Sequence, residues 1–174
     1  QRTATPTMVR LASTQRQVCL TMRFWVTSDL HYGGRTRGDR AAERLAAHIR
    51  AHPADAIIIA GDLGNGRDAI QSCLGLFADL PGPKLFVPGN HDVWTPGWDT
   101  EDSWQIHEEL LPALAAEAGF HALHLAPFVL ADVAFVGSMG WYDYSFRDDL
   151  DVDIVSYETK VPPWANRAIW MDAH

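Results

Sequence analysis

The chain has 174 residues, 47% of them apolar and 21% charged, enough to bury one substantial core in a single domain spanning residues 1–174. A formal charge of -8 argues against a sequence-independent nucleic-acid binder, which needs clustered Lys and Arg; an acidic chain still suits a phosphorylated substrate if bound divalent cations reverse the local field. There is no apolar run of about 18 residues to cross a membrane and no basic-then-apolar start to mark a secretory signal, so the expected location is cytoplasmic.

In chain order, residues 1 to about 20 read as an irregular lead-in or edge strand of uncertain structure. Met22-Arg23-Phe24-Trp25-Val26-Thr27 is rich in aromatic and branched residues and stops at Ser28-Asp29, which predicts a strand ending in polar groups. Ala42, Leu45, Ala46 and Ile49 then recur at helical spacing from Gly38 onward, with Asp39 as the expected N-cap. The unit repeats: the apolar run Ala56 to Ala60 ends at Gly61-Asp62, and Ile70, Cys73, Leu74 and Phe77 mark a helix face behind it. It repeats again with Lys84-Leu85-Phe86-Val87, which ends at Pro88-Gly89-Asn90-His91-Asp92 and precedes a helix carrying His107, Leu110, Leu111, Leu114 and Ala118 on one side.

Three strand-loop-helix units with apolar strands predict an α/β fold, a parallel sheet with helices on both faces and its polar clusters at the carboxyl ends of the strands. After Phe120 the pattern changes to short strands, Leu123-His124-Leu125, Phe128-Val129-Leu130 and Val133-Ala134-Phe135-Val136, with Asp132 at a hairpin turn. Residues 141 to 157 are aromatic and acidic and read as a solvated loop, with a lid over the site or a counter-surface for a partner as the alternatives, and Trp164 to Asp172 reads as a short helix after Pro162-Pro163. Cys19 and Cys73 flank no thiolate metal cluster and read as small core residues.

The chemistry lies in three motifs at successive strand ends: Ser28-Asp29-Leu30-His31, Gly61-Asp62-Leu63-Gly64-Asn65 and Gly89-Asn90-His91-Asp92. Carboxylate, imidazole and amide donors without thiolates form a ligand set suited to Mn, Fe or Zn ions. On an extended strand end Asp29 and His31 leave from the same side and reach one ion, and Asp62, at the end of the most apolar strand, needs a compensating charge if buried. Each motif alone also reads as an ordinary turn. Their joint placement favours a metal site.

Residues 22 to 92 resemble the front half of the calcineurin-like metallophosphoesterase superfamily, whose Asp-x-His, Gly-Asp and Gly-Asn-His-Asp/Glu motifs stand here as Asp29-Leu30-His31, Gly61-Asp62 and Gly89-Asn90-His91-Asp92. Gly137-Ser138-Met139-Gly140-Trp141-Tyr142-Asp143 also resembles bacterial members. The resemblance implies a β-sandwich flanked by helices, two divalent metal ions, and hydrolysis of a small phosphorylated substrate by a metal-bound hydroxide. It implies Asp29 and His31 as ligands of one ion, Asp62 as the bridge and Asn90 as a ligand of the second, with His91 as the acid facing the leaving group and Asp92 orienting its ring. Asn65 stands where the superfamily often carries Asp or Glu, as an orienting hydrogen-bonding group. Arg35, Arg37 and Arg147 are the cations available to a phosphate, with surface arginines as the plainer reading.

The superfamily's later His and its Gly-His-x-His motif are not found in these residues, and His107, His121, His124 and His174 lack the matching context. The expectation is therefore an incomplete fold and a second metal position short of ligands, completed by self-association or by a further portion of chain. The competing expectations are a catalytically silent phosphoesterase fold that acts in binding or assembly, and a single-metal hydrolase.

Overall fold

A computed structural model of the chain describes residues 22–99 and 101–140. Four strands, β1 (Phe24–Thr27), β2 (Ala56–Ala60), β3 (Lys84–Val87) and β4 (Phe120–Ala122), form one parallel sheet in the order β1-β2-β3-β4. Trp25 pairs with Ile57, Ile57 with Lys84 and Lys84 with Phe120, which fixes the residues that share a face. Between the strands run α1 (Thr36–Ala51), α2 (Arg67–Gly75) and a helical segment made of α3 (Ser103–Gln105), a π-helical turn (Ile106–Leu110) and α4 (Leu111–Glu117).

Sequential order and parallel direction have a consequence for layering. Crossovers of the usual right hand all return on the same side when each strand is added beyond the last. Ala46 and Ile49 of α1, Ile70, Cys73 and Leu74 of α2, and Ile106, Leu111 and Leu114 of the third segment all enter one core with Ile57, Ile59, Phe86 and Phe120. The expected cover of helices on both faces is therefore corrected: these helices take one face. The other face meets a hairpin, β5 (Phe128–Leu130) antiparallel to β6 (Val133–Phe135), which begins a second layer. Phe135 sets its ring edge-on to Phe24 at 5.2 Å, and Phe128 lies beside His121. On that face Val26 is 63% exposed.

Local details differ from the sequence pattern for physical reasons. The first helix starts at Thr36 rather than at Asp39, and Arg35 at its N-cap position makes no side-chain cap bond. Asp39 sits inside the first turn and accepts the Gly33 N–H at 2.8 Å, tying the preceding loop to the helix. In the third helical segment Pro112 lacks the N–H that an α-turn needs, and the turn before it widens, Leu111 N–H donating to Ile106 C=O five residues back. Ile106 and Leu111 consequently both face the core, whereas His107 is only half-buried. The strand expected over Leu123–Leu125 is a turn; the pairing residues are Phe120–Ala122. The hairpin turn at Ala131-Asp132 is as expected, with Ala131 at φ 53. Among the described residues, no helix is long and apolar enough to cross a membrane. Residues 141–157 and the helix expected over Trp164–Asp172 lie outside the described residues.

Candidate metal centre

Beyond their last paired residues, β1 and β2 continue as adjacent loops bonded to each other. Asp29 N–H donates to Gly61 C=O (3.1 Å), His31 N–H to Asp62 C=O (2.9 Å) and Tyr32 N–H to Leu63 C=O (2.7 Å). The backbone is left-handed at Asp29 (φ 56), His31 (φ 44) and Asp62 (φ 56). Extended geometry is thus not what brings Asp29 and His31 together, which corrects the period-two argument. Each left-handed non-glycine residue costs about 1 kcal/mol or more, and the three inter-loop bonds hold the strained conformation in place. Apart from Ala131 in the hairpin turn, these three are the non-glycine positive-φ positions among the described residues. Backbone strain therefore collects where the donor side chains do.

The third loop is locked onto the second by close backbone approach. A Cβ on Gly61 (φ 76) would collide with the Gly89 amide nitrogen, and one on Gly89 would collide with the Asp62 carboxylate and come within 2.8 Å of the Asp62 nitrogen. Asp92, fully buried, clamps the junction. Its Oδ2 accepts the Asp62 and Gly89 N–H groups at 2.9 Å each, and its Oδ1 accepts the Leu63 N–H at 2.8 Å. Burial pushes the Asp92 carboxyl up to about 6, a shift the nearby Asp62 charge reinforces, while the three amides favour its ionised form. Asp62 is fixed from the other side as well, its Oδ1 accepting the His91 N–H at 3.1 Å.

These constraints converge three donor side chains. Ligand atoms of His31, Asp62 and His91 lie within 4.8 Å of one another, and Asp29 Oδ1 is 4.0 Å from His31 Nε2. Asp29, Asp62 and Asn90 line one open hollow together with Met139. The His31 and His91 rings meet edge to face at 4.7 Å. His91 Nδ1 lies 3.4 Å from Asn65 Oδ1, a long contact that suits a ring proton on Nδ1 and a lone pair on Nε2. Trp94 packs on the His91 ring with centroids 3.6 Å apart. The 3₁₀ turn His91–Val93 explains that contact, since residues three apart eclipse one another in such a turn.

A family model described as calcineurin-like phosphoesterase matches residues 22–159. The chain belongs to this family. It is 36% identical over 75 residues to acyl-carrier-protein phosphodiesterase PptH of Mycobacterium tuberculosis, an alignment covering 43% of this chain and 22% of that protein. It also resembles the crystal structure of phosphopantetheinyl hydrolase (PptH) from Mycobacterium tuberculosis, with a TM-score of 0.58 and 27% identity over 72% of this chain and 45% of that one. The chain thus spans less than half the length of the relatives it matches.

Within this calcineurin-like domain the structure brings Asp29, His31, Asp62, Asn65, Asn90 and His91 to one region at the ends of β1, β2 and β3. Asp92 does not orient the His91 ring as the motif implies; both its oxygens are taken by loop amides, and the group beside the ring nitrogen is Asn65. Arg35 and Arg37 are exposed at the amino end of α1, and Arg147 lies outside the described residues. The other described candidate histidines are engaged elsewhere: His107 with Glu108, His121 with the Ala126 carbonyl and His124 with the His107 carbonyl. Sequence reasoning missed Trp94 as a neighbour of His91 and Asp92 as a clamp. The spacing of three between His91 and Trp94 was the available signal for the first.

Proposed function

We propose that this domain hydrolyses phosphoesters of small phosphorylated substrates with two divalent ions held at the strand ends. The observation that carries the reading is the convergence of His31, Asp62 and His91 ligand atoms within 4.8 Å, on loops whose backbone is strained at two of those three positions, His31 and Asp62. An imidazole-carboxylate set of this kind fits Mn, Fe or Zn. Asp29 and His31 would hold one ion, Asp62 would be shared and Asn90 would serve the second. Such a pair of ions supplies Lewis-acid polarisation of the phosphoryl oxygens and a nucleophilic water at neutral pH.

The protein's own groups would do the rest. With Asn65 accepting the Nδ1 proton, Nε2 of His91 is the atom that takes up a proton and delivers it to the leaving oxygen. Trp94 and the His31 ring restrict the imidazole to that orientation. Asp92 keeps the Asp62 loop in register with Gly89. Arg35 and Arg37 are the exposed cations that would meet a phosphate outside the metal cluster. The name of the relative PptH makes a phosphodiester, such as a phosphopantetheinyl linkage, the first substrate class to try.

A second reading has a specific observation behind it: His91 belongs to the same cluster as His31 and Asp62 and is itself a ligand. Metal analysis together with Mn²⁺-dependent hydrolysis of bis-p-nitrophenyl phosphate by the intact protein decides between them. Asp62→Asn should abolish both metal retention and turnover. His91→Ala should lower turnover about 10²-fold with metal retained if His91 is the acid, and lose metal if it is a ligand. Metal content unchanged in Asp62→Asn would overturn the proposal.

A further inference from the structure

At the opposite end of the sheet, around the amino ends of β1 and β2, two histidines stand together that the phosphoesterase reading does not use. His48 lies in the last turn of α1 and His52 is its C-cap residue, so they are four apart at a helix end and face the same way. Their rings stack with centroids 4.3 Å apart and planes 29° from parallel, and both side chains are exposed. His52 Nδ1 lies 2.8 Å from the His48 carbonyl oxygen. A carbonyl only accepts, so His52 carries its proton on Nδ1 and presents an Nε2 lone pair.

The surroundings hold this pair in place. The Trp25 indole N–H donates to the His52 carbonyl at 2.7 Å, and the Trp25 ring meets the His48 ring edge to face at 5.4 Å. An open hollow lined by Trp25, His48, His52, Phe24 and Pro53 adjoins the rings, leaving room for an ion and its remaining water ligands. Arg50 of α1 is paired with Asp79 on another side of the helix, while Arg44, one turn before His48 on the same face, directs its Nε–H back to the Arg40 carbonyl at 3.1 Å. Arg23 also lines the hollow and is the opposing charge there, while the carboxyl end of the α1 dipole favours a cation.

We infer that His48 and His52 form a separate two-imidazole site for a borderline divalent cation of the Ni²⁺, Cu²⁺ or Zn²⁺ type, distinct from the phosphoesterase centre. Two imidazoles four apart on a helix can reach one ion with bonds of about 2.0–2.1 Å once the rings turn out of their stack so that the two in-plane lone pairs converge. An Nδ1–H bonded to a backbone carbonyl is the arrangement that fixes a ligating histidine's tautomer and raises its basicity. Mg²⁺ and Ca²⁺, which take oxygen donors, do not suit this all-nitrogen pair.

The test is Ni²⁺ titration of the chelator-stripped protein by calorimetry, with bound metal counted after desalting, for wild type, His48→Ala, His52→Ala and His31→Ala. Wild type and His31→Ala should show the His48/His52 event, and each alanine at 48 or 52 should weaken it about tenfold or more by removing the chelate. His48 and His52 ring resonances should broaden first on adding substoichiometric Ni²⁺. Circular dichroism should show all four proteins folded, with at most a small fall in melting temperature where the His52 bond to the His48 carbonyl or the His48–Trp25 ring contact is lost. Unchanged Ni²⁺ affinity and stoichiometry in both His48→Ala and His52→Ala would overturn the site. Loss of binding in His31→Ala alone would assign the ion to the strand-end centre instead, so failure here is separable from failure of the phosphoesterase reading.

Discussion

Replacing Asp92 by Ala tests how the metal centre is built. Three N–H groups, from Asp62, Leu63 and Gly89, converge on one buried carboxylate at 2.8 to 2.9 Å, and the methyl of Ala accepts none of them. Leaving a buried donor unpaired costs about 1–3 kcal/mol each, so three of them cost about 3–9 kcal/mol, and the two that are only part-buried, Asp62 and Gly89, keep the loss toward the low end. Removing a carboxylate whose ionised form is disfavoured by burial, its pKa pushed up to about 6, brings the value to the lower end. A loss of about 3 kcal/mol lowers the melting temperature by about 6–12 °C in a domain of this size. Asp92→Asn retains one acceptor oxygen; placed where Oδ2 stands, it keeps two of the bonds and sets an NH₂ against the Leu63 N–H, so about half the loss is expected. Thermal and urea unfolding measure these differences, and metal titration of the same proteins should show weaker binding in the order wild type, Asp92→Asn, Asp92→Ala. A Tm change within about 2 °C for Asp92→Ala, together with a large loss of turnover, would refute the clamp and restore a direct role beside the His91 ring.

Gly89→Ala forces a Cβ into the Asp62 carboxylate and amide, so metal retention should fall below detection even though the substitution adds one methyl; metal content equal to wild type would show that the two loops separate freely. Cys73 is buried and its thiol is pushed up to about 12, so at pH 8 it should stay unmodified by a thiol reagent in the folded protein and react after unfolding, as peptide mass mapping would read; rapid labelling in native buffer would mean that the α2 core opens. Trp94→Leu removes the ring packed on His91 and should lower turnover with metal content and melting temperature nearly unchanged, while Trp94→Phe should restore most of it; equal losses in both would point to packing of the loop rather than to the His91 ring.

What the sequence made legible was the pattern that repeats. Strands ending at Thr27, Ala60 and Val87 announce themselves by apolar runs bounded by polar clusters, and the donor types at their ends follow from single positions in the chain. Sheet order was the missing variable for layering: both faces receive helices only if the chain reverses its direction of strand addition, and periodicity within a helix carries no information about that. The helix after β3 was legible as a helix but not in its facing, because Pro112 widens the preceding turn and shifts Ile106 into register with Leu111. The turn over Leu123–Leu125 resisted for another reason. Alternation of two leucines around His124 imitates a strand, yet the neighbouring residues already pair with β3, and Leu123 adds its N–H to the Phe86 carbonyl as the chain leaves the sheet.

The site shows the same division between residue type and backbone. An alternation such as Asp29-x-His31 is compatible with a strand end, and that inference selects the right residues while misjudging how they meet. Left-handed φ at Asp29, His31 and Asp62 depends on bonds between two loops that are far apart in sequence, Asp29 to Gly61 and His31 to Asp62, so no local pattern contains it. Asp92 is the corresponding case for a side chain. Next to His91 in sequence, it invites pairing with that ring, but the 3₁₀ turn carries it inward, where three amides from two loops outcompete an imidazole for its two oxygens. The same turn then delivers Trp94 to the face of His91 and leaves the ring nitrogen to Asn65, a residue contributed by the other loop. A donor set in this fold is therefore specified twice, by residue types that a sequence displays and by loop-to-loop bonds that appear only when the strands are side by side.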